Sequence, residues 1–198
     1  MYSDLPTTAF VDQTPWVQNG TIQDNVLGIS SFEEAWYSQV IHACALEVDI
    51  ANFPRGHGML IRAISSSDLL THLLTATPVG SAGISLSGGQ KQRLALARAV
   101  YARKELVILD DVFSGLDSET EEQVFNRLFG AAGLFRQMNT TVLLVTHAVH
   151  RLPYSNCKYF LDRIGHISPM SWAFDIGRFM EKSDIYMYQQ PRANFSLA

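Results

Sequence analysis

From Leu86 to Arg93 the chain reads Leu-Ser-Gly-Gly-Gln-Lys-Gln-Arg, and a helical pattern from Leu94 to Val100 follows at once. Two adjacent glycines, Gly88 and Gly89, let the backbone approach a ligand with no Cβ in the way. The start of the helix adds unpaired N–H groups and a partial positive charge. Together these features describe an anion site, and phosphate is the usual occupant of such a site. Further on, Leu106-Val107-Ile108-Leu109 runs into two carboxylates, Asp110 and Asp111. An unbroken apolar run suits a strand buried on both faces of a parallel sheet. Ligands of such sheets bind at the carboxyl ends of the strands, where both acids fall. Taken alone, the run fits a strand closing on a polar turn equally well. Thr141–Val145 reads as another buried strand, with Thr146-His147 after it; a histidine in that place is most often structural.

The elements that must position these groups are legible in outline. Ala9–Val11 is a strand. Ser31 caps a helix near Phe32–Leu46, with Glu34 completing a capping box. Its face of Ala35, Val40, Ile41 and Ala45 suits core packing. Ser118 opens a second helix with Glu121 three residues on. Val124, Phe125, Leu128 and Phe129 form its apolar stripe, and Gly130 suits its end. Glu105–Leu109, Thr141–Val145 and Tyr159–Leu161 are the remaining strands of a mostly parallel sheet. No internal repeat or low-complexity tract is visible.

Taken in order, the segments resemble the nucleotide-binding domain of ABC transporters. Leu86–Arg93, with Leu94-Ala95-Leu96-Ala97-Arg98-Ala99 behind it, resembles the family's signature motif. Leu106–Asp111 resembles its Walker B strand, Ser114-Gly115-Leu116-Asp117 its D-loop, and Thr146-His147 its switch histidine. Phe10-Val11-Asp12-Gln13-Thr14-Pro15-Trp16 looks like the Q-loop. The continuation from Val17 to Val26 resembles the first nucleotide-binding domain of subfamily C full transporters, the multidrug-resistance-associated type. Asp111 stands where active members usually carry Glu, which fits that commonly degenerate first domain. Leu94–Asp117 and His147–Tyr154 are similar to fungal-type members.

The resemblance implies an α/β fold: a partial P-loop NTPase-like (ABC ATPase) domain over 1–166, with a mostly parallel sheet and a helical signature subdomain. An unassigned tail covers 167–198. It implies ATP and Mg²⁺ as cofactors. On it Asp110 is the magnesium-side carboxylate, and Gln13 bridges the metal and the transmembrane partner. Asp111 takes the place of the catalytic base, and His147 contacts the γ-phosphate. Family members pair head to tail. Ser87, Gly88, Gly89 and Gln90 are therefore expected to serve a γ-phosphate held by a second ABC ATPase domain, and the loop ending at Asp117 to cross to that domain. The other implied partner is the transmembrane domain of an ABC transporter, on the cytoplasmic side of a membrane. The implied role is ATP hydrolysis driving export.

The chain also departs from the family pattern. The phosphate-binding Gly-x-x-x-x-Gly-Lys-Ser/Thr segment is not found in it. The family places that segment upstream of the Q-loop, and twelve residues precede Gln13. A crossover alone needs at least about ten to twelve residues. The expectation is a domain truncated before the Q-loop, inactive alone and binding ATP weakly or not at all. Residues 57–78 interrupt the family pattern between Arg55-Gly56 and Val79–Gly83; they fit a regulatory insertion or a translated intron. The tail from Ile167 fits a small helical element near Phe174–Lys182 or out-of-frame sequence. Competing with a transporter domain are a non-catalytic half-domain or degenerate remnant that pairs with another ATPase domain, and a soluble ABC ATPase of chromosome maintenance or translation. Trp16–Val26 argues against the last.

Composition sets outer bounds. The 198 residues are the size of one domain, and 47% hydrophobic residues allow a buried core. A net charge of −4 carries no electrostatic footprint for nucleic acid. Two cysteines, Cys44 and Cys157, are too few for a disulfide framework and read as free thiols. No apolar run approaches the roughly 18 residues a membrane span needs, and no charged-then-apolar leader stands at Met1. A chain soluble in its own right is expected.

Overall fold

The computed structural model describes residues 7–61, 86–155, 157–161, 167–169 and 185–189. Strand β1 (Thr8–Val11) and the short β2 (Gly20–Thr21) lead into helices α1 (Ile22–Leu27), α2 (Glu34–Ala43) and α3 (Glu47–Asn52). A 3₁₀ turn and β3 (Leu60–Ile61) follow, then α4 (Gly88–Tyr101), β4 (Leu106–Asp110), α5 (Ser118–Phe129), α6 (Leu134–Gln137) and β5 (Thr141–Thr146). Three further strands are β6 (Cys157–Leu161), β7 (Ile167–Pro169) and β8 (Ile185–Gln189).

The sheet that positions the site has the order β1-β4-β5-β8-β6-β7. β1, β4 and β5 are parallel neighbours: Val11 pairs with Leu109, and Leu109 with Leu144. Parallel neighbours need long crossovers. The helical segment from α1 to α4 makes the first, and α5 with α6 makes the second. β8 runs antiparallel to both β5 and β6, so β6 points the same way as β5; β7 is antiparallel to β6. The fold is α/β, with β1, β4, β5 and β6 sharing one direction.

Burial alternates along the central strands. Val107, Leu109, Val142 and Leu144 are fully buried, whereas Leu106, Ile108 and Leu143 are half-buried. The apolar runs read as buried on both faces are therefore fully covered on one. Successive side chains point to opposite faces, and the better-covered face joins the main core. That core also takes Leu94, Leu96, Ala97 and Val100 of α4 and the stripe of α5. Phe125 stacks on Phe129 at 4.8 Å between ring centroids, and Phe129 meets Phe135 of α6 at 5.1 Å. The stripe of Val124, Phe125, Leu128 and Phe129 is buried as expected, and Gly130 ends the helix.

Two helix starts differ from the sequence expectation. α2 begins at Glu34 and not after a Ser31 cap, and it ends at Ala43. Glu33 makes no side-chain cap. Instead the Tyr101 hydroxyl, at the end of α4, accepts from the Glu33 N–H at 2.8 Å and donates to the Ser31 carbonyl at 2.9 Å. A tertiary contact, and not a local cap, ties down the chain that leads into the helix. In α5 the cap is Asp117, one residue earlier than Ser118; its carboxylate accepts from the Thr120 N–H at 2.9 Å. The chain then reverses between α2 and α3 through Ala45, at φ 52°, where a continuous helix to Leu46 had been expected.

Of the 57–78 stretch only His57–Ile61 is described, as the end of the 3₁₀ turn and β3, which pairs with β2. The remainder, Val79–Gly83 and the segment Phe174–Lys182 lie outside the described residues. The tail supplies β7 and β8 to the sheet. No helix among the described residues is long and apolar enough to cross a membrane.

Candidate functional site

Three parallel strands that end level with one another bring their following residues to one edge of the sheet. Asp110 pairs with Val145, and the Asp111 N–H donates to the Val145 carbonyl at 2.9 Å. Gln13 lies two residues beyond β1, Asp111 directly after β4 and His147 directly after β5. Gln13 Nε2 donates to Asp111 Oδ2 at 3.1 Å, so two of the expected site residues touch across 98 positions of sequence. Asp111 takes φ 46°, in the left-handed region that Asp tolerates better than most residues. The Ser114 hydroxyl ties the turn by donating to the Asp111 carbonyl at 3.0 Å. His147 is exposed; Thr146 Oγ1 accepts from the Ala148 N–H at 3.0 Å and fixes the turn that presents it.

The donors at this edge are oxygens: the carboxylates of Asp110 and Asp111 and the amide of Gln13. Among the described residues no group of three or more His, Cys, Asp and Glu is gathered to hold a metal ion. A set of one or two carboxylates still fits Mg²⁺, which fills its octahedron with water and substrate phosphate oxygens and does not need an all-protein cage.

The glycine-rich turn is the second part of the site. Ser87 is the N-cap of α4: its Oγ accepts from the Gln90 N–H at 3.2 Å, while Gln90 Oε1 accepts from the Ser87 N–H at 2.9 Å. This is a capping box, and the Ser-x-x-Gln spacing announces it in the sequence. Gly88 is exposed, and a Cβ added there would meet nothing within 4 Å, so the space beside its Cα is open to a ligand. At Gly89 it would sit 3.1 Å from the Gly115 carbonyl oxygen and 3.4 Å from Leu116 Cδ2. The Ser114–Asp117 loop thus abuts the glycine-rich turn of the same chain, and Gly89 makes room for it. Asp117 is committed to capping α5, and the Thr120 N–H holds its carboxyl below the usual carboxylate range.

Several positioning residues were not visible in the sequence. Gln92 is buried, and its Nε2 donates to the Asp12 carbonyl at 3.3 Å, tying α4 to the turn that carries Gln13. Asn25 is fully buried. It accepts from the Gln18 N–H at 3.0 Å and from Arg98 at 2.8 Å, and it donates to the carbonyls of Gln18 and Thr21. Arg98 also donates to the Trp16 carbonyl at 3.1 Å and lies 4.9 Å from that ring's centroid. Beside this network a groove of about 750 Å³ is lined by Phe10, Trp16, Leu27, Ile29, Ala95 and Arg98. Phe10, Trp16 and Ile29 are exposed. Cys44 is buried, and desolvation pushes its thiol up to about 12.

Carboxylates and a histidine at the ends of parallel strands, with a glycine-rich helix start beside them, fit a P-loop NTPase-like α/β ATPase domain. Comparison with known proteins gives the family. The family described as ABC transporter matches residues 6–114. The chain belongs to the ABC transporter family, as a nucleotide-binding domain. It is 46% identical over 160 residues, 81% of its length, to ABC multidrug transporter B of Aspergillus fumigatus. It is 50% identical over 160 residues, again 81% of its length, to ABC transporter ecdL of Aspergillus rugulosus. ABC multidrug transporter lscH of Purpureocillium lilacinum is 42% identical over 171 residues, 80% of this chain. In each case the match spans about 10% of the relative's own length.

Proposed function

We propose that this chain serves ATP-driven export as the signature-bearing part of an ABC ATPase pair, in a fungal transporter of subfamily C and in the position of its first nucleotide-binding domain. The observation that carries the reading is the preorganised helix start. The capping box fixes Ser87, and the exposed Gly88 leaves open space beside its Cα for a ligand to approach the helix start. Donors held in place before the ligand arrives cost no reorganisation when charge develops on it. Ser87, Gly88, Gly89 and Gln90 then face a γ-phosphate held by a second ABC ATPase domain, packed head to tail. Bound ATP with Mg²⁺ would supply the phosphoanhydride bond that is cleaved. Asp110 and Gln13 occupy the metal side of the site. Asp111 orients water and accepts its proton, and His147 hydrogen-bonds a phosphoryl oxygen. Asp117 keeps the loop beside Gly89 in register.

The exposed apolar groove by Phe10, Trp16 and Ile29 adjoins the turn that carries Gln13. An apolar patch of this kind fits a protein partner, and we assign it to the transmembrane domain, at the cytoplasmic face of a membrane. Residues 1–166 form the ATPase portion and 167–198 a tail. The alternative reading is a non-catalytic half-domain or remnant that acts, if at all, by pairing with another ATPase domain.

The test is stimulation of a separately purified ABC ATPase domain of the same subfamily by the 198-residue chain. Stimulation by the native chain and its loss with Gly88→Asp, which sets a carboxylate where phosphate should lie, supports the pairing role. Equal stimulation by both chains refutes the phosphate contact, and no stimulation by either leaves the remnant reading. Alone, the chain is expected to bind ATP at millimolar affinity or weaker by calorimetry; micromolar binding contradicts this.

A further inference from the structure

We propose that Asp49 is the positioning residue that decides which way the Gln90 amide faces, and through it holds the Ser87 N–H in place. The inference deepens the reading of Ser87 as a phosphate-facing residue and names a residue behind it that no motif contains. Asp49 lies on α3, 41 positions from Gln90. Its ionised carboxylate only accepts. Oδ2 takes a hydrogen bond from Arg93 at 2.7 Å, and Oδ1 takes one from Gln90 Nε2 at 2.7 Å.

A glutamine amide has one donor end and one acceptor end. With Nε2 committed to Asp49, Oε1 points the other way, onto the Ser87 N–H at 2.9 Å. The reversed amide would set oxygen against oxygen at Asp49 and donor against donor at Ser87. The side chains of Arg93 and Asp49 are only 12% and 17% exposed, so little water reaches the Asp49 end to relieve the clash of oxygens there, although the Ser87 end is exposed. Arg93 is anchored in turn by the Ala45 carbonyl, in the tight reversal between α2 and α3. The chain of contacts therefore runs from that reversal through Arg93, Asp49 and Gln90 to Ser87.

A pair of substitutions separates this from a merely structural salt bridge. Asp49→Asn leaves one acceptor, which the Arg93 cation takes, and turns a donor toward Gln90. The Gln90 amide then rotates and releases the Ser87 N–H. Adding Gln90→Glu supplies two acceptors, one for the new amide and one for Ser87, and restores the arrangement. The measurement is amide hydrogen exchange at Ser87 by NMR, on the full chain without nucleotide. Asp49→Asn should speed exchange on the order of fivefold, the weight of one net hydrogen bond, and the double variant should return to near the native rate. Unchanged exchange in Asp49→Asn, or no recovery in the double variant, overturns the proposal.

If Asp49→Asn fails to fold, the comparison moves to Gln90→Glu, which sets a carboxylate against Asp49. The double variant should then melt higher than Gln90→Glu alone, and the opposite order overturns the proposal. None of these readouts involves phosphate. They stand apart from the Gly88→Asp assay, in which the phosphate reading itself succeeds or fails.

Discussion

Asp111 shows how much one methylene can decide. The backbone is turned at φ 46°, and the short side chain reaches Gln13 Nε2 at 3.1 Å. An Asp carboxylate lies closer to its own backbone than Glu would, and so farther from a water waiting beyond it. Misplacement by about 1 Å can cost about a hundredfold in rate. In a transporter that carries this segment, Asp111→Glu is expected to raise ATP turnover roughly tenfold or more. Steady-state ATPase assays check this, and unchanged turnover contradicts the geometric argument. Asp110 and Asp111 were legible in the sequence because a short apolar run ending in acids is a local pattern, whereas Gln13 and His147 were expected only from the family resemblance. The contact of Gln13 with Asp111 was not legible, since the two meet only through the parallel register of β1 and β4.

At the scale of elements, the turn from α5 to α6 leaves no room for a side chain at Gly133. A Cβ on Gly133 would lie 2.4 Å from the Leu128 carbonyl oxygen and 2.8 Å from the Phe129 nitrogen. Both are backbone atoms, fixed by a helix whose Phe125 and Phe129 are buried in the core. Gly133→Ala is expected to destabilise the chain by about 2–3 kcal/mol, as overpacking of a core does. The thermal midpoint should fall by roughly 4–10 °C. Gly88→Ala, in open space, should change stability by no more than about 0.5 kcal/mol. Calorimetry of the two variants tests the contrast, and equal midpoints would contradict it. The stripe and end of α5 were readable because 3.6-residue periodicity and a terminal glycine are local signals. The start of α2 was not, because the chain leading into it is held by a tyrosine from another helix.

For the whole molecule, stability should narrow toward acid and alkali for different reasons. Hydrogen bonds from Thr21 lower the Asp24 carboxyl, Arg103 lowers Glu33, the Thr120 N–H lowers Asp117, and Arg151 lowers Glu122. The folded state therefore releases these protons more readily than the unfolded chain. Their contribution is complete above the ordinary values of 3.8 to 4.5. It is lost as pH falls through the lower folded values. The buried Cys44 thiol works in the opposite sense. Stability should decline as pH rises from its ordinary 9.0 toward its folded value of about 12. Thermal melts across pH should show a plateau between these limits, and a midpoint that does not fall as the pH is lowered below 3.8 would contradict the carboxylate assignment.

The sequence by itself determined the pieces whose physics is local. These are the glycine-rich helix start, the acids at a strand end, the stripe of α5 and the α/β alternation that makes a parallel sheet. A few neighbouring residues suffice to set each of them. Only the tertiary structure decided which distant groups support the site. It placed Asp49 behind Gln90, tied Gln92 to the Asp12 carbonyl, buried Asn25 beneath Arg98, and brought Gly115 against Gly89. It also set β8 of the tail between β5 and β6. Polar side chains such as these look like surface residues in a sequence. They become structural when packing removes water and leaves one partner for each hydrogen bond.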